Sequence, residues 1–282
     1  MGMRTYRRMF FFLISALIST QHAAAQSLEL GISAGGSLYN GDLSRADMIE
    51  NLRDMGLATG AFARLRLSES LSFRAAGQVM RLAGNEYGSG GNFDQGKYFF
   101  SQVQELSLLG EWRIFRLGRG AFQVAPFMAF GVAGFHFDPQ VTIDGQAVRL
   151  QPLGTEGQGL PDYNPPYSLY DWSIPVGGGL QISLNDRWSL GLELIGRRSQ
   201  TDYLDDVSDQ VVRYWDILIY KGTLAAFLSN PGVTPDTAPN DLTYQRGRGY
   251  TDWYFAGGLT VGFRIAGQAP YRKGAGLPCP RF

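Results

Sequence analysis

A single cysteine in 282 residues leaves no disulfide framework and no cysteine-built zinc or iron–sulfur site. Charge is scarce as well: 18 % of residues are charged, against about 25 % in an ordinary soluble domain. So few charges do not suit a fully solvated surface. No apolar run of about 20 residues follows the N-terminus, which excludes a helical membrane protein. Basic charge is not in excess, since 25 Lys and Arg meet 25 Asp and Glu. The three arginines of the first 25 residues (Arg4, Arg7, Arg8) stand there without an acid, so the remainder carries 22 basic and 25 acidic side chains. Without a polycation, nucleic acid is not an expected partner.

What the chain does have is glycine, 37 residues of it, and 13 % aromatics. Its first segment reads as an address. Arg4, Arg7 and Arg8 precede an apolar run over 9–19, and Ala23-Ala24-Ala25 supplies small residues for cleavage. The expectation is a secretory signal over 1–25, cleaved after Ala25. The apolar run is too short for a membrane anchor.

Beyond it the hydrophobic period is two, the period of strands. Leu71, Phe73, Ala75, Gly77 and Val79 alternate with Ser72, Arg74, Ala76 and Gln78. The same alternation, with one apolar face and one face of glycine, serine, alanine and isolated charges, recurs over 59–67, 104–114, 122–132, 174–184, 188–196 and 253–265, and more weakly over 28–38. Eight strands of about 9 to 11 residues suit a bilayer crossed at a tilt. Connections 68–70, 117–121 and 185–187 are tight, whereas 39–58, 82–98, 138–172 and 199–252 are long. That is the connectivity of an all-β, eight-stranded antiparallel transmembrane barrel with short periplasmic turns and long extracellular loops. Trp112, Trp172, Trp188 and Trp253 fall at strand ends, where an aromatic girdle sits, and Trp215 falls in the last loop. The competing architectures are a secreted β-sandwich and a soluble ligand-binding barrel, whose outer faces would be more densely charged.

An eight-stranded barrel is only wide enough for its own side chains. Arg64, Arg66, Arg74, Arg113, Arg197 and Arg264 are therefore expected inside it, paired with Glu105, Glu111 and Glu193, with water or with loop acids.

In the loops, Ser44-Arg45-Ala46-Asp47 reads as the cap of a short helix with Met48, Ile49, Leu52 and Met55 on one face and Gly56 as its stop. A second helix is expected over 210–227, capped by Ser208 or Asp209, with Val211, Tyr214, Trp215, Leu218 and Ile219 on its apolar side. Asp205 and Asp206, just before it, are placed to accept N–H groups at its start and to pair with Arg246 or Arg248. Residues 201–208 are acidic but lack the alternating oxygens and central glycine of a calcium loop, so no metal and no cofactor is assigned. Nor is catalysis. The only histidine after the signal, His136, has no serine beside it to act as a nucleophile.

Four segments together resemble the PorG-like family of outer-membrane barrels associated with type IX secretion. They are Tyr39-Asn40-Gly41-Asp42-Leu43, Glu156-Gly157-Gln158-Gly159, Thr201-Asp202-Tyr203-Leu204-Asp205-Asp206-Val207-Ser208 and Asp252-Trp253-Tyr254. The resemblance implies a bacterial outer-membrane component, embedded in lipid, that works with the ring formed by a periplasmic protein and a lipoprotein to support secretion of proteins bearing a C-terminal sorting domain. Contact with such a ring would fall to residues 26–29, the short turns or a periplasmic tail over 266–282. The alternative is a barrel that binds an extracellular ligand or stabilises the membrane.

Overall fold

The computed structural model of the chain describes residues 27–44, 51–85, 98–119, 122–247, 249 and 251–266. The signal segment, residues 45–50 of the expected first-loop helix, Arg248 and the tail from 267 lie outside them.

Eight long strands form the barrel: β1 (Ser27–Asn40), β2 (Gly56–Arg66), β3 (Leu71–Asn85), β4 (Tyr98–Arg113), β6 (Phe122–His136), β9 (Tyr170–Ser183), β10 (Trp188–Ser199) and β13 (Trp253–Ala266). Each pairs antiparallel with the next, and β13 returns to β1 from Asn40↔Trp253 to Leu28↔Ala266, which closes the sheet and removes its edges. The short strand β5 (Leu117–Arg119) lies along the lower end of β6 where a plain turn is expected. β7 (Pro139–Ile143) and β8 (Gln146–Arg149) form a hairpin that extends the wall above β4. Its turn is Asp144-Gly145, with φ of 49° and 78°, the two left-handed positions of a tight hairpin.

The period-two face assignment holds along every wall strand. Over 98–113, β4 alternates strictly between buried and exposed or half-buried positions; Leu106 and Leu108 point outward, and Glu105, Ser107, Leu109 and Glu111 point in. Ile32, Phe73, Phe130, Val176, Leu194 and Leu259 join the outer belt. An exposed apolar belt on a closed sheet can be covered only by lipid. Trp112 and Trp188 mark its turn-bearing end, and Trp172 and Trp253 the loop-bearing end. Leu192, in the middle of β10 and 53 % exposed, belongs to this belt. Leu192→Arg should cost about 2–4 kcal/mol of unfolding free energy in lipid vesicles, while Leu192→Ala stays well below that; equal losses would mean this face is not in lipid.

The fourth loop departs from expectation. Instead of one helix over 210–227, β11 (Val211–Arg213) pairs with β12 (Thr243–Gln245), then α1 (Tyr214–Tyr220) and α2 (Thr223–Ser229) follow. Gly222 separates the helices at φ 94°, outside the helical region, so the helical run cannot continue through it. Arg213, not Ser208 or Asp209, stands at the helix cap, without a side-chain capping hydrogen bond. Tyr214 and Ile217 are buried with Val212, Ala225 and Ala226, whereas Val211 and Ile219 face out, so the apolar face is rotated from the expected one. In the first loop, Asn51 is helical and a 3-10 turn, Leu52–Asp54, follows it. Leu52 and Met55 are exposed there, and Gly56 opens β2 rather than stopping a helix.

Candidate functional site

Two polar clusters use the charges that the sequence isolates. The first fills the lumen. Arg64 lies between Glu29, at very short range, and Glu111 at 2.7 Å. Arg74 bridges Glu111 at 3.1 Å and Glu193 at 2.6 Å, and Arg197 holds Glu105 at 2.9 Å. Phe62 lies under both Arg64 and Arg74, 4.8 and 5.7 Å from ring centre to guanidinium. Three arginines do not meet the three expected glutamates: Arg66 and Arg264 reach Glu29 instead, and Arg113 has no carboxylate within 4.0 Å among the described residues. Arg113 donates to the carbonyls of Ser68 and Glu69 and to Gln181, and Arg264 donates to the carbonyl of Asp186.

Sequence reasoning also missed the acid that serves the turn-bearing end. Glu29 is fully buried and meets Arg64, Arg66 at 2.9 Å, Arg264 at 4.0 Å and the Ser189 hydroxyl at 3.0 Å. It is therefore a lumen residue and no surface for a periplasmic partner. A lumen crossed by paired ions and an aromatic ring should not conduct. Purified barrel in planar bilayers is expected to give no current steps, and steady unitary steps would overturn the packed lumen.

The second cluster caps the loop-bearing mouth, and here the four distant motif segments meet. Tyr39, near the end of β1, places its hydroxyl 2.7 Å from Asp205 Oδ2 and 2.7 Å from Asp252 Oδ1, all three residues being buried. One phenol proton cannot serve two carboxylates. Asp205 already accepts N–H groups on both oxygens, from Val207 at 3.0 Å and Leu43 at 3.1 Å. Asp252 accepts Leu204 N–H on Oδ2 alone, at 3.0 Å. The second proton therefore belongs on Asp252 Oδ1 and points to Tyr39, which donates in turn to Asp205. Burial, then the negative charge of Asp205, holds the Asp252 carboxyl well above the usual carboxylate range.

Asp206 occupies the left-handed region at φ 66°, which Asp and Asn tolerate best among residues with a side chain. Its carboxylate accepts the Tyr167 hydroxyl at 2.7 Å and, at very short range, that of Thr155. Arg246 reaches it at 3.3 Å and also donates to its carbonyl and to Thr155. Glu156 binds Ser208 twice, accepting its N–H at 2.8 Å and its hydroxyl at 2.6 Å. Gly157 and Gly159 turn the chain at φ 79° and 84°, and Gln158 Oε1 accepts Glu156 N–H at 3.0 Å. Thr201 accepts Tyr203 N–H, and the Tyr203 ring stacks on Tyr167, 4.5 Å between centres. Phe137, Leu150, Leu204 and Val207 seal the cluster beneath. His136 lies outside it, against the ring of Tyr170 on the outer rim. Among the described residues no group of His, Cys, Asp or Glu is arranged to hold a metal ion.

The cap stores protons. Burial pushes Glu156 up to about 7 against the pull of Arg246. Burial, with Asp42 and Asp209 nearby, pushes Asp202 up to about 7. Groups whose folded pKa lies above the unfolded value of about 4 stabilise the fold fully below that value and lose the contribution as pH rises through the folded pKa. Protection of the Leu204 and Val207 amides from hydrogen exchange, corrected for intrinsic rate, should therefore fall between about pH 4 and pH 7 and level off above that, while mid-strand amides hold. A constant protection factor would contradict the assignment.

A closed antiparallel sheet with an apolar outer belt, aromatic residues at both ends and an ion-filled lumen is a bacterial outer-membrane β-barrel. The chain belongs to the family described as domain of unknown function DUF6089, whose model matches residues 7–218. Solved structures similar to it include the attachment invasion locus protein Ail of Yersinia pestis, 10 % identical over 85 % of this chain and 99 % of that one, with a TM-score of 0.40. Neisserial surface protein A is 8 % identical over 84 % and 97 %, with a TM-score of 0.41. The N-terminal barrel domain of Pseudomonas aeruginosa OprF is 11 % identical over 86 % and 99 %, with a TM-score of 0.37. No curated protein matches the chain.

Proposed function

We propose that this barrel is a non-enzymatic structural component of type IX secretion, working at the outer membrane with a periplasmic ring that contains a lipoprotein. The observation that carries the reading is the cap. The segments that resemble the PorG-like family lie up to 213 positions apart, yet their side chains bond to one another as one buried unit through Tyr39, Asp205 and Asp252. A filled lumen supports a scaffold rather than a conduit. Among the described residues the short turns offer a surface to a periplasmic partner, with Glu69 and Arg116 exposed or nearly so.

Deleting the gene should abolish release of sorting-domain cargo into the medium, with wild type restoring it. Asp206→Ala should reduce cargo while heat-modifiable barrel persists in the outer membrane. Undiminished cargo after deletion would overturn the role in secretion.

A further inference from the structure

An open groove of about 710 Å³ runs over the lipid-facing side of the wall from β1 to β6. Its floor is Ala61 and Ala63 on β2 with Ala75 and Gly77 on β3, which stand opposite one another as Ala63↔Ala75 and Ala61↔Gly77. Exposed leucines rise on both sides of that floor, Leu30 from β1 and Leu106 from β4. Ser107, the one polar residue of the lining, is buried on the lumen face. The groove therefore offers only apolar surface, of a kind that takes hydrocarbon.

What lies above the groove specifies the head of its occupant. β3 continues through Val79 to Arg81, exposed on the same face as Ala75. From Ala75 to Arg81 is about 20 Å of strand, or about 15 Å along the membrane normal at the usual tilt. That is one leaflet of a hydrocarbon core about 30 Å thick. β3 rises toward the loop-bearing end, so the leaflet is the outer one. Arg81 lays the face of its guanidinium on the Phe100 ring, 4.9 Å away, and enters no ion pair among the described residues. Stacking leaves the N–H edge of the group open, the edge that grips a phosphate. Gln102, opposite Arg81, and Gln104, opposite Val79, are exposed beside it. Amides turned toward lipid need partners, which the ester and phosphate oxygens of a headgroup supply. Where β9 and β13 carry Trp172 and Trp253 at this end, β3 and β4 carry Arg81 and Gln102.

We propose that this wall holds one phosphorylated lipid of the outer leaflet, its phosphate on the open edge of Arg81 and an acyl chain in the groove over Ala75 and Gly77. The site needs only the folded barrel and is independent of any role in secretion. Arg198 is its natural control. That cation is also exposed at the loop-bearing end, but on β10, across the barrel from β3, between Trp253 and Ile174.

The test titrates refolded full-length barrel, freed of lipid in detergent, with dimyristoyl phosphatidic acid, dimyristoylglycerol or glycerol phosphate, and counts bound molecules by native mass spectrometry. Phosphatidic acid should bind the native barrel as a single tight lipid, about five-fold more tightly than it binds Arg81→Gln. Ala75→Phe fills the groove with another lipid-facing apolar side chain and should weaken binding by a similar factor, with heat-modifiability unchanged in both variants. Arg198→Gln should bind like the native barrel. Dimyristoylglycerol, without the phosphate, and glycerol phosphate, without the chains, should each bind several-fold more weakly. Equal losses for Arg81→Gln and Arg198→Gln would mean that net charge alone attracts the lipid and would overturn the site. Undiminished binding by Ala75→Phe would overturn the groove, and equal binding of dimyristoylglycerol and phosphatidic acid would overturn the part of Arg81. Dimers of the native barrel that Ala75→Phe abolishes would make this wall a contact between copies and overturn the lipid as its occupant.

Discussion

Glu29→Ala is expected to lower the unfolding free energy of the barrel by about 3–5 kcal/mol, the usual consequence of removing one partner from a buried ion pair. The size follows from how many cations this one carboxylate serves. Arg64 retains Glu111 when Glu29 is removed, but Arg66 and Arg264 have no other carboxylate within 4.0 Å among the described residues. Buried guanidinium groups then lose their counter-charge, and the Ser189 hydroxyl loses its acceptor. Glu29→Gln keeps the acceptor oxygen while losing the charge, so its loss should be smaller. Adding Arg66→Met to Glu29→Gln removes one stranded cation and should recover part of the difference. The measurement is urea unfolding in vesicles of fixed lipid composition, read by the faster migration of unboiled barrel. A loss below about 1 kcal/mol for Glu29→Ala, the range of exposed pairs, would mean that water reaches this end of the lumen.

That acid also shows where the sequence stops being readable. Period-two alternation assigned the faces of Arg64, Arg74 and Glu105 because bulky apolar residues flank them, and a sheet allows only two faces. β1 reads SLELGISAGGSLYN, in which glycine and serine blur the alternation, so Glu29 gave no phase of its own. The β7–β8 hairpin carried a readable signal, Asp144-Gly145 between Val-Thr-Ile and Gln-Ala-Val, which a search for long strands passes over. The break at Gly222 was likewise legible, since glycine interrupts the apolar face after Tyr220. The cap was different in kind. Its motif residues were visible through resemblance, but the bonds joining Tyr39 to Asp205 and Asp252 span 166 and 213 positions. Nothing local in one sequence specifies such pairs. Asp252 was therefore seen as the entry to the last strand and not as the partner of Asp205.

The adjacent and nearby acids of the cap should respond very differently to loss of charge. Asp252→Asn mimics the protonated carboxyl, because its amide N–H can donate to Tyr39 while its oxygen accepts Leu204 N–H. Its cost should stay below about 1 kcal/mol, and above pH 7 the cap should be more protected from exchange than in the native chain, since no proton has to be kept. Asp205→Asn offers one carbonyl in place of two oxygens that take Tyr39 O–H, Leu43 N–H and Val207 N–H. At least one buried donor then faces an amide N–H, at a cost of about 1–3 kcal/mol. Asp206→Asn keeps a residue that tolerates φ 66° but leaves Arg246 with only Glu156, 3.8 Å away. Burial of the Arg246 guanidinium makes that the most damaging of the three, about 3–5 kcal/mol of local cap stability. Hydrogen exchange at Leu204 and proteolysis of the fourth loop, measured on refolded barrel at pH 6 and pH 8, read this order directly. Equal losses at Asp205 and Asp252 would show that the shared proton does not reside where the bonding pattern of Asp205 requires it.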